Sequence, residues 1–225
     1  MPEQDRRADV LVIGGGPAGA SCAYWLADAG HDVVLVERKT YPRAKTCGDG
    51  LTPRSVRQLE DMGLSDELAA HHRFTGLRSH AFGKTLELKW PTIKGLPNYG
   101  YVVTRHDLDH AVAARASKVG AQVRDGHEAL EPLDENGLLR GAVVKDKSSG
   151  EHISLRSRYV VVADGANSRF GRALGTARTR SYPLGMAIRT YYESPLHAEP
   201  WIDSWLDVRD KNNHVLPGYG WIFPV

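Results

Sequence analysis

A cysteine stands in an unusual setting in the segment TYPRAKTCGDGLTPRS, residues 40 to 55. Cys47 follows Arg43 and Lys45 and directly precedes Gly48-Asp49-Gly50. A structural cysteine normally lies inside an apolar run, whereas glycines let the backbone pass close to a ligand. We therefore predict that this loop belongs to a site. A small side chain filling a tight loop is the alternative, and Arg43 and Lys45 are explained equally well as anion ligands or as solvated charges.

A phosphate-binding turn is predicted near the N-terminus. A G-x-G-x-x-G sequence joins a short apolar run, DVLVI, to a helical segment, SCAYWLADAG, and a second apolar run, DVVLVE, follows. In this order the glycines allow a tight turn, close approach to a pyrophosphate and close helix packing. The carboxylate that ends the second strand suits ribose hydroxyls and disfavours the 2′-phosphate of NADP. A glycine-rich turn without a ligand is the alternative. The candidate cofactor-binding residues of this module are Gly14, Gly16, Ala18, Gly19, Glu37 and Arg38.

The remainder of the chain indicates whether the bound dinucleotide is FAD or NAD. NAD dehydrogenases continue with further βα units, whereas here a long basic loop and a hairpin pattern follow the second strand. The segments YVVTRHDLDHAVAARA and VVVADGANSRFGRALG resemble two signatures of the flavoprotein class that includes aromatic hydroxylases and geranylgeranyl reductases. The resemblance implies FAD as cofactor, with Arg105 against the flavin and Asp164-Gly165 at its ribityl–pyrophosphate region. From the residues alone, a surface arginine and an Asx turn are the alternatives.

Two further segments narrow the resemblance to the geranylgeranyl reductase family. PRAKTCGDGLTPR is similar to the P-R-x-K-x-C-G-x-G-L element of that family, and PGYGWIFP is similar to its Y-x-W-x-F-P element. The residues of these two motifs resemble most those of the actinobacterial menaquinone reductase branch. The resemblance covers essentially all 225 residues, which we expect to be the N-terminal part of a longer protein. A later Gly-Asp motif of the class is not found, so either the chain stops before it or flavin binding is impaired.

The family resemblance implies reduction of an isoprenoid C=C bond by reduced FAD, in a polyprenyl lipid such as the menaquinone side chain or a geranylgeranyl group. An unactivated alkene has no oxygen to polarise, so an oxyanion hole would be useless. The reaction needs a hydride, a proton donor and a dry apolar slot. Free thiols are mostly protonated at neutral pH, as a donor requires. The candidate catalytic residues are Cys47, Tyr219, Trp221 and Phe223, and the loop residues expected beside the flavin are Cys47, Gly48, Asp49 and Gly50.

Composition limits the partners and the location. The chain has 29 basic and 27 acidic residues, and its net charge of +2 argues against nucleic-acid binding. The polar N-terminus lacks a secretory apolar region, and no apolar run approaches the ~20 residues of a membrane span. We expect a cytoplasmic protein with peripheral contact at the inner face of the cell membrane, where a polyprenyl substrate resides. No second nucleotide fold for NADPH is visible, so a small reductant or redox protein is an alternative to NADPH as electron donor, and the sequence leaves the donor open between them.

The elements that must position these residues indicate an α/β fold. We predict a Rossmann-like FAD-binding domain of the aromatic hydroxylase/geranylgeranyl reductase type, with an inserted, incomplete β-sheet substrate domain. The predicted bounds are 1–75 and 98–180 for the first and 76–97 and 181–225 for the second. Further predictions are a hairpin turning at FGK, a buried run RYVVVADG, and β structure from residue 182 onwards, including LGMAIRTYYE. The competing hypotheses are an FAD-dependent aromatic monooxygenase, a flavin halogenase and a non-catalytic nucleotide-binding fragment.

Overall fold

The structure, a computed structural model, describes residues 7–176, 181–182 and 185–225. In these residues the strands are β1 (Arg7–Ile13), β2 (Val33–Val36), β3 (Gly50–Leu51), β4 (His72–Phe74), β5 (Gly76–Ala81), β6 (Lys84–Lys89), β7 (Gly100–Val102), β8 (Gln122–Arg124), β9 (His127–Glu135), β10 (Leu138–Asp146), β11 (His152–Val162), β12 (Trp201–Trp205) and β13 (Gly220–Ile222). The helices are α1 (Pro17–Asp28), α2 (Pro53–Asp61), α3 (Ser65–Ala69), α4 (Arg105–Lys118) and α5 (Arg169–Ala173). Within these residues no helix is long and apolar enough to span a bilayer.

The chain divides into two compact units. The first unit contains Met1–Lys45 and His106–Met186, and the second contains Thr46–Arg105 and Ala187–Val225. The predicted FAD-binding and substrate domains are defined by what they bind. The division of the chain into compact units does not test binding. The predicted bounds stay a prediction, although the predicted FAD-binding segments 46–75 and 98–105 fall within the second unit.

A six-stranded sheet with the order β8-β2-β1-β11-β10-β9 forms the centre of the first unit. β1 lies between β2 and β11 and is parallel to both, whereas β9, β10 and β11 form an antiparallel meander. Leu11, Val12 and Ile13 are each at most 3% exposed. Such burial on both faces is typical of a central parallel strand and explains the continuous apolar run. The predicted Rossmann-like fold class is confirmed.

Helix α1 packs on β1 and β2 through small side chains. It begins at Pro17, whose fixed φ suits a first helical residue, and Ala20 and Ala23 are fully buried on its inner face. Gly30, at a φ of +88°, takes the left-handed conformation that ends the helix before β2. The predicted strand–turn–helix–strand module is therefore present, with the bounds of each element shifted by a few residues.

The predicted buried run RYVVVADG differs from the structure. It continues HISLRS as the single strand β11, and Tyr159 and Val162 are exposed. β10 pairs only with residues 152–156 of this strand, and β1 pairs with residues 156–162. The second half of β11 is thus bordered by β1 alone among the described strands. The apolar run therefore predicted the strand correctly, but the prediction that this strand is buried was wrong for its exposed residues.

Two smaller sheets make up the second unit. The four-stranded sheet has the order β13-β12-β5-β6, and the three-stranded sheet has the order β3-β7-β4. The predicted hairpin is confirmed as β5 and β6, which turn at Phe82 and Gly83. The core between the sheets contains Phe74, Val102 and Ile202, with Phe223 packed against them.

An ion pair joins neighbouring strands of the four-stranded sheet. Arg78 of β5 donates from Nε to Asp203 Oδ1 of β12 at 2.6 Å and from Nη2 to Oδ2 at 2.9 Å. His80 lies 2.8 Å from the same Oδ1. Burial raises the pKa of Asp203, but the hydrogen bonds from Arg78 and His80 outweigh burial and leave this pKa below its ordinary value. The charged carboxylate thus stabilises the pairing of β5 with β12.

The prediction of β structure from residue 182 onwards is wrong in part. Residues 183 and 184 lie outside the described residues, and residues 185–193, which are most of LGMAIRTYYE, form no strand. Ile188 is 94% exposed and Met186 nearly as much. No strand among the described residues pairs with this segment. High β propensity alone does not make a strand, because its stability depends on cross-strand packing.

Candidate functional site

The carboxyl ends of three parallel strands meet at one edge of the sheet in the first unit. Gly14 follows β1, Glu37 follows β2, and Asp164 follows β11. These three residues line one cleft together with Arg38. In open α/β sheets, ligands bind outside the carboxyl ends of the strands. The structure thus brings together four of the residues that the sequence predicts for cofactor binding.

The glycine turn after β1 has the geometry that a phosphate loop requires. Gly14 has a φ of +101°, and a Cβ there would lie 2.5 Å from the Ala163 carbonyl oxygen. A Cβ on Gly19 would overlap the Gly14 carbonyl oxygen, so glycine is needed for close helix packing. Gly16 is the N-cap of α1 and no side chain caps the helix, while Ala18 is exposed in its first turn. The helix N-terminus therefore presents N–H groups suited to an anion.

Glu37 is a buried acceptor beside this turn. Its carboxylate accepts hydrogen bonds from the backbone N–H of Gly15 at 2.9 Å and of Lys39 at 3.0 Å. It also accepts one from Arg43 Nη2 at 3.1 Å. A carboxylate has about four acceptor sites, so one remains for a ribose hydroxyl. This is the contact predicted for the residue, and it stays a prediction.

Arg43 differs from both sequence-based explanations of its charge. It is buried, and its guanidinium forms ion pairs with Glu37 and, at 3.0 Å, with Asp109 of α4, which is fully buried. Arg43 is therefore neither a solvated charge nor open to a phosphate or lipid headgroup. Lys45 remains exposed. The role of Asp109 was missed because nothing in its local sequence distinguishes it from other polar residues of an amphipathic helix.

Tyr41 is a second residue that sequence reasoning missed. Its hydroxyl donates to the carbonyl oxygen of Gly15, and its ring stacks on His110 at a centroid distance of 6.1 Å. Burial, together with the negative charge of Glu37, raises the pKa of Tyr41 above its ordinary value. The hydroxyl thus stays protonated, and its hydrogen bond to the Gly15 carbonyl oxygen holds the glycine turn in place.

Asp164 provides a test of whether the cleft fits FAD. Its Oδ2 accepts from the backbone N–H groups of Arg169 at 3.0 Å and Phe170 at 3.3 Å. Its Oδ1 is buried and has no hydrogen-bond partner among the described residues. A buried carboxylate oxygen without a donor is costly. The hydroxyls of a ribityl chain are the donors it lacks, so the residues present fit the cofactor. Gly165 follows in the left-handed region, at a φ of +87°.

The remaining polar lining of this cleft was not predicted from the sequence. It consists of His127, Glu128, Asn167 and Arg169. Arg169 Nη1 lies 3.4 Å from Glu128 Oε1. Asn167 and Arg169 belong to the segment that resembles the flavoprotein signature, so a residue-by-residue reading of that segment would have found them. His127 and Glu128 begin β9, which has no clear strand pattern.

The thiol-bearing loop lies in the second unit. Cys47 is exposed, and the glycines of the loop pass close to Phe223. A Cβ on Gly50 would lie 2.8 Å from Phe223 Cε1 and 2.7 Å from Ile202 Cδ1. A Cβ on Gly48 would lie 3.5 Å from Phe223 Cζ, an ordinary contact. The structure therefore brings the predicted thiol loop and one predicted aromatic residue together.

The three aromatic residues near residue 225 form a continuous row. We call Tyr219, Trp221 and Phe223 the aromatic row. The rings of Trp221 and Phe223 stack at a centroid distance of 6.0 Å, and those of Tyr219 and Trp221 meet edge to face at 5.7 Å. Alternation along an extended segment explains why they share one side. The predicted common face is confirmed; the catalytic roles of the row stay a prediction.

Asp49 is held by protein groups on both carboxylate oxygens. It is 3% exposed. Oδ1 accepts from the backbone N–H of Arg105 at 3.1 Å and from Arg189 Nη1 at 3.0 Å, and Oδ2 accepts from the Tyr191 hydroxyl at 3.0 Å. Arg189 and Tyr191 were missed because they lie about 140 residues further along the chain. Arg105 is buried at the start of α4, and its predicted flavin contact stays a prediction.

Comparison with known proteins identifies similar sequences along almost the entire chain. A family model described as FAD binding domain matches residues 7–220. A menaquinone reductase of Mycobacterium tuberculosis is 41% identical over 98% of this chain and 53% of that protein. Digeranylgeranylglycerophospholipid reductase 2 of Methanopyrus kandleri is 32% identical over 96% of this chain and 51% of that protein. The resemblance to geranylgeranyl reductases predicted from the motifs is confirmed.

A solved structure supports the fold. The crystal structure of a geranylgeranyl bacteriochlorophyll reductase-like protein from Thermoplasma acidophilum matches with a TM-score of 0.72 at 25% identity. The match covers 97% of this chain and 54% of that one. This chain spans about half the length of the curated relatives it matches.

Proposed function

The chain belongs to the FAD binding domain family, and on that premise we propose that the complete protein uses FAD to reduce an isolated C=C bond in a polyprenyl lipid. The substrate class is that of the reductases it resembles: the menaquinone side chain or a geranylgeranyl group. The observation that carries the proposal is the contact between the thiol loop and the aromatic row. Gly50 leaves no room for a side chain beside Phe223, and the thiol loop and the aromatic row lie in the same unit.

The cofactor is FAD, and the first unit supplies residues suited to hold it. We assign the pyrophosphate to Gly14, Gly16, Ala18 and Gly19 at the start of α1, and the adenosine ribose to Glu37 with Arg38 beside it. The ribityl hydroxyls are assigned to Asp164 and Gly165. Support comes from the uncapped helix N-terminus and from the unpaired Asp164 Oδ1. Reduced FAD, when bound, supplies the hydride.

Cys47 is proposed as the proton donor. One alkene carbon receives the hydride, and the other receives the proton from Cys47 Sγ, which leaves a thiolate. Because the thiol is exposed, solvent can return the proton after product leaves. The exchange of one hydride and one proton converts the C=C bond to a CH–CH bond without polarising an oxygen.

The aromatic row is proposed as the wall of the prenyl slot. Its rings exclude water from an apolar chain, and their faces attract positive charge. If protonation runs ahead of hydride transfer, this attraction stabilises the developing carbocation by roughly 0.5–2 kcal/mol. Exchange of Trp221 for Leu should then lower kcat more than it raises KM. Equal losses would count against a role in stabilising charge.

The substrate also implies contact with a membrane surface. Leaving water stabilises a prenyl chain by ~0.8 kcal/mol per CH2, whereas leaving a bilayer for an apolar slot gains almost nothing. We therefore propose that the protein collects its substrate while bound peripherally at the inner face of the cell membrane. The tip of the β5–β6 hairpin is the candidate contact, because Phe82 is exposed there beside Lys84 and two exposed leucines follow on β6. The electron donor is proposed to be NADPH or a small redox protein.

Mass analysis of prenyl quinones and lipids tests the reaction. Cells that express the complete protein should accumulate prenyl chains heavier by two hydrogen atoms, and the Cys47→Ala and Cys47→Ser variants should not. Wild-type product levels in both variants would remove Cys47 from the mechanism. Consumption of NADPH and oxygen with a phenolic substrate, without reduced prenyl products, would instead favour an aromatic monooxygenase.

A further inference from the structure

The side chain of Asp49 joins segments that are far apart in the sequence. Its carboxylate is buried, yet both of its oxygens are occupied by donors from residues 105, 189 and 191. Its backbone oxygen also accepts from the N–H of Val103 at 2.8 Å. A carboxylate with three donors on its two oxygens is well satisfied by protein groups. Its place in the thiol loop is therefore fixed from several directions.

Arg189 holds the loop at two points. Besides its contact with Asp49 Oδ1, its Nη1 donates to the carbonyl oxygen of Cys47 at 3.3 Å. These two acceptors lie on either side of Gly48, so one nitrogen of the guanidinium bridges the residues that flank it. Charge-assisted hydrogen bonds of this kind are about twice as strong as neutral ones.

Tyr191 completes the arrangement. Its hydroxyl donates to Asp49 Oδ2, and the guanidinium of Arg189 lies 5.0 Å from the centre of its ring. Arg189 and Tyr191 thus support each other as well as the carboxylate. In contrast, the neighbouring Tyr192 is highly exposed.

We propose that Arg189 and Tyr191 are positioning residues that hold the Cys47 loop in place through Asp49. The proposal rests on the proposed function in one respect: it gives a reason why the thiol must be held still. Glycines on both sides of Asp49 leave the loop backbone intrinsically mobile. Three groups donate to the Asp49 carboxylate: the Arg105 N–H, Arg189 and Tyr191. We call this arrangement the Asp49 clasp. It offsets that mobility and fixes the exposed thiol relative to Phe223.

Amide hydrogen exchange in the complete, FAD-loaded protein tests the clasp without reference to activity. Arg189→Met should accelerate exchange of residues 46–50 by about tenfold or more, as expected for loss of a hydrogen bond to a charged group. Tyr191→Phe removes one neutral donor and should accelerate it several-fold, whereas Tyr192→Phe is the matched control and should not. Arg78→Met, which breaks a different ion pair of the same unit, should accelerate exchange in β5 and β12 but not in residues 46–50.

Kinetics separate positioning from a purely structural role. If Cys47 donates the proton, Arg189→Met and Tyr191→Phe should lower kcat while KM for the prenyl substrate changes little, and Arg189→Lys should recover part of the loss. Unchanged exchange of residues 46–50 in both Arg189→Met and Tyr191→Phe would overturn the clasp. A normal kcat in both, with Cys47→Ala inactive, would overturn positioning. Faster exchange together with a fully active Cys47→Ala would uphold the clasp and refute the proton-donor role alone.

Discussion

Gly50→Ala perturbs the contact on which the proposed chemistry depends. The added Cβ would lie 2.8 Å from Phe223 Cε1 and 2.7 Å from Ile202 Cδ1, and contacts shorter than 3.4 Å require the neighbour to move. Both side chains must therefore retreat by about 0.6–0.7 Å, within a core that also contains Phe74 and Val102. Overpacking of this kind costs about 1–3 kcal/mol. We expect that loss in the free energy of unfolding, measured by urea titration with tryptophan fluorescence.

Gly48→Ala is the matched control for stability. Its Cβ would meet Phe223 at 3.5 Å, an ordinary contact, so no neighbour has to move. Neither glycine lies in the left-handed region, so alanine brings no backbone strain at either position. Gly48→Ala should be neutral or stabilise by up to about 1 kcal/mol, because alanine restricts the unfolded chain.

Activity gives a second readout of the same displacement. A misplacement of 1 Å in a reacting site can lower turnover by about 10²-fold, so a shift of Phe223 by half that distance or more should cost roughly tenfold in kcat. FAD content, read from the flavin absorbance, is measured in the same samples, so that turnover is expressed per bound flavin. Equal stabilities of the two alanine variants would refute the packing, and full turnover in a destabilised Gly50→Ala would show that the position of Phe223 does not matter for the reaction.

Three further predictions concern the cofactor turn and the ion pairs. Gly19→Ala should raise the Kd for FAD at least about tenfold, measured by flavin fluorescence, because its Cβ overlaps the Gly14 carbonyl; an unchanged Kd would contradict the tight turn. Arg43→Met should cost about 3–5 kcal/mol of stability because it removes the cation of a buried ion pair with Asp109, and adding Asp109→Asn should recover part of it; additive losses would refute the pairing. The lowered pKa of Asp203 stabilises the folded state above the ordinary value of 3.8, and this contribution is lost as pH falls below it. Acid titration of Asp203→Asn should therefore show a shallower loss of stability below pH 4 than the parent.

The elements that the sequence predicts best are those whose signals are local. The βαβ module was predicted because two buried runs, three glycines and a terminal acid all lie within about thirty residues. The hairpin of β5 and β6 was predicted for the same reason, since the turn and both arms are adjacent. The aromatic row follows from simple alternation. In each case the residues that carry the signal also make the contact.

The parts that were missed depend on partners distant in the chain. Arg43 carries the same charge whether it is solvated or buried, and only the fold places Asp109 opposite it. Asp49 finds Arg189 and Tyr191 about 140 residues away, and neither has a local pattern that indicates this. The strand β9 contains proline and several acids, which are rare in strands, and forms because β10 pairs with it. Burial and pairing partners, rather than strand propensity, were the unpredictable quantities.

The central place of β1 has a consequence for synthesis of the protein on the ribosome. The strand that completes the second edge of β1 begins about 150 residues after it, so it leaves the ribosome later than β1 does. At ~5–20 residues per second, translation takes roughly 7–30 s to deliver it. Throughout that interval the apolar run at residues 10–13 of β1 has one open edge, the kind of surface on which nascent chains aggregate. Co-expression of a chaperone that binds nascent chains should therefore raise the yield of native protein. Slowing the growth of the cells after synthesis is complete should raise this yield less.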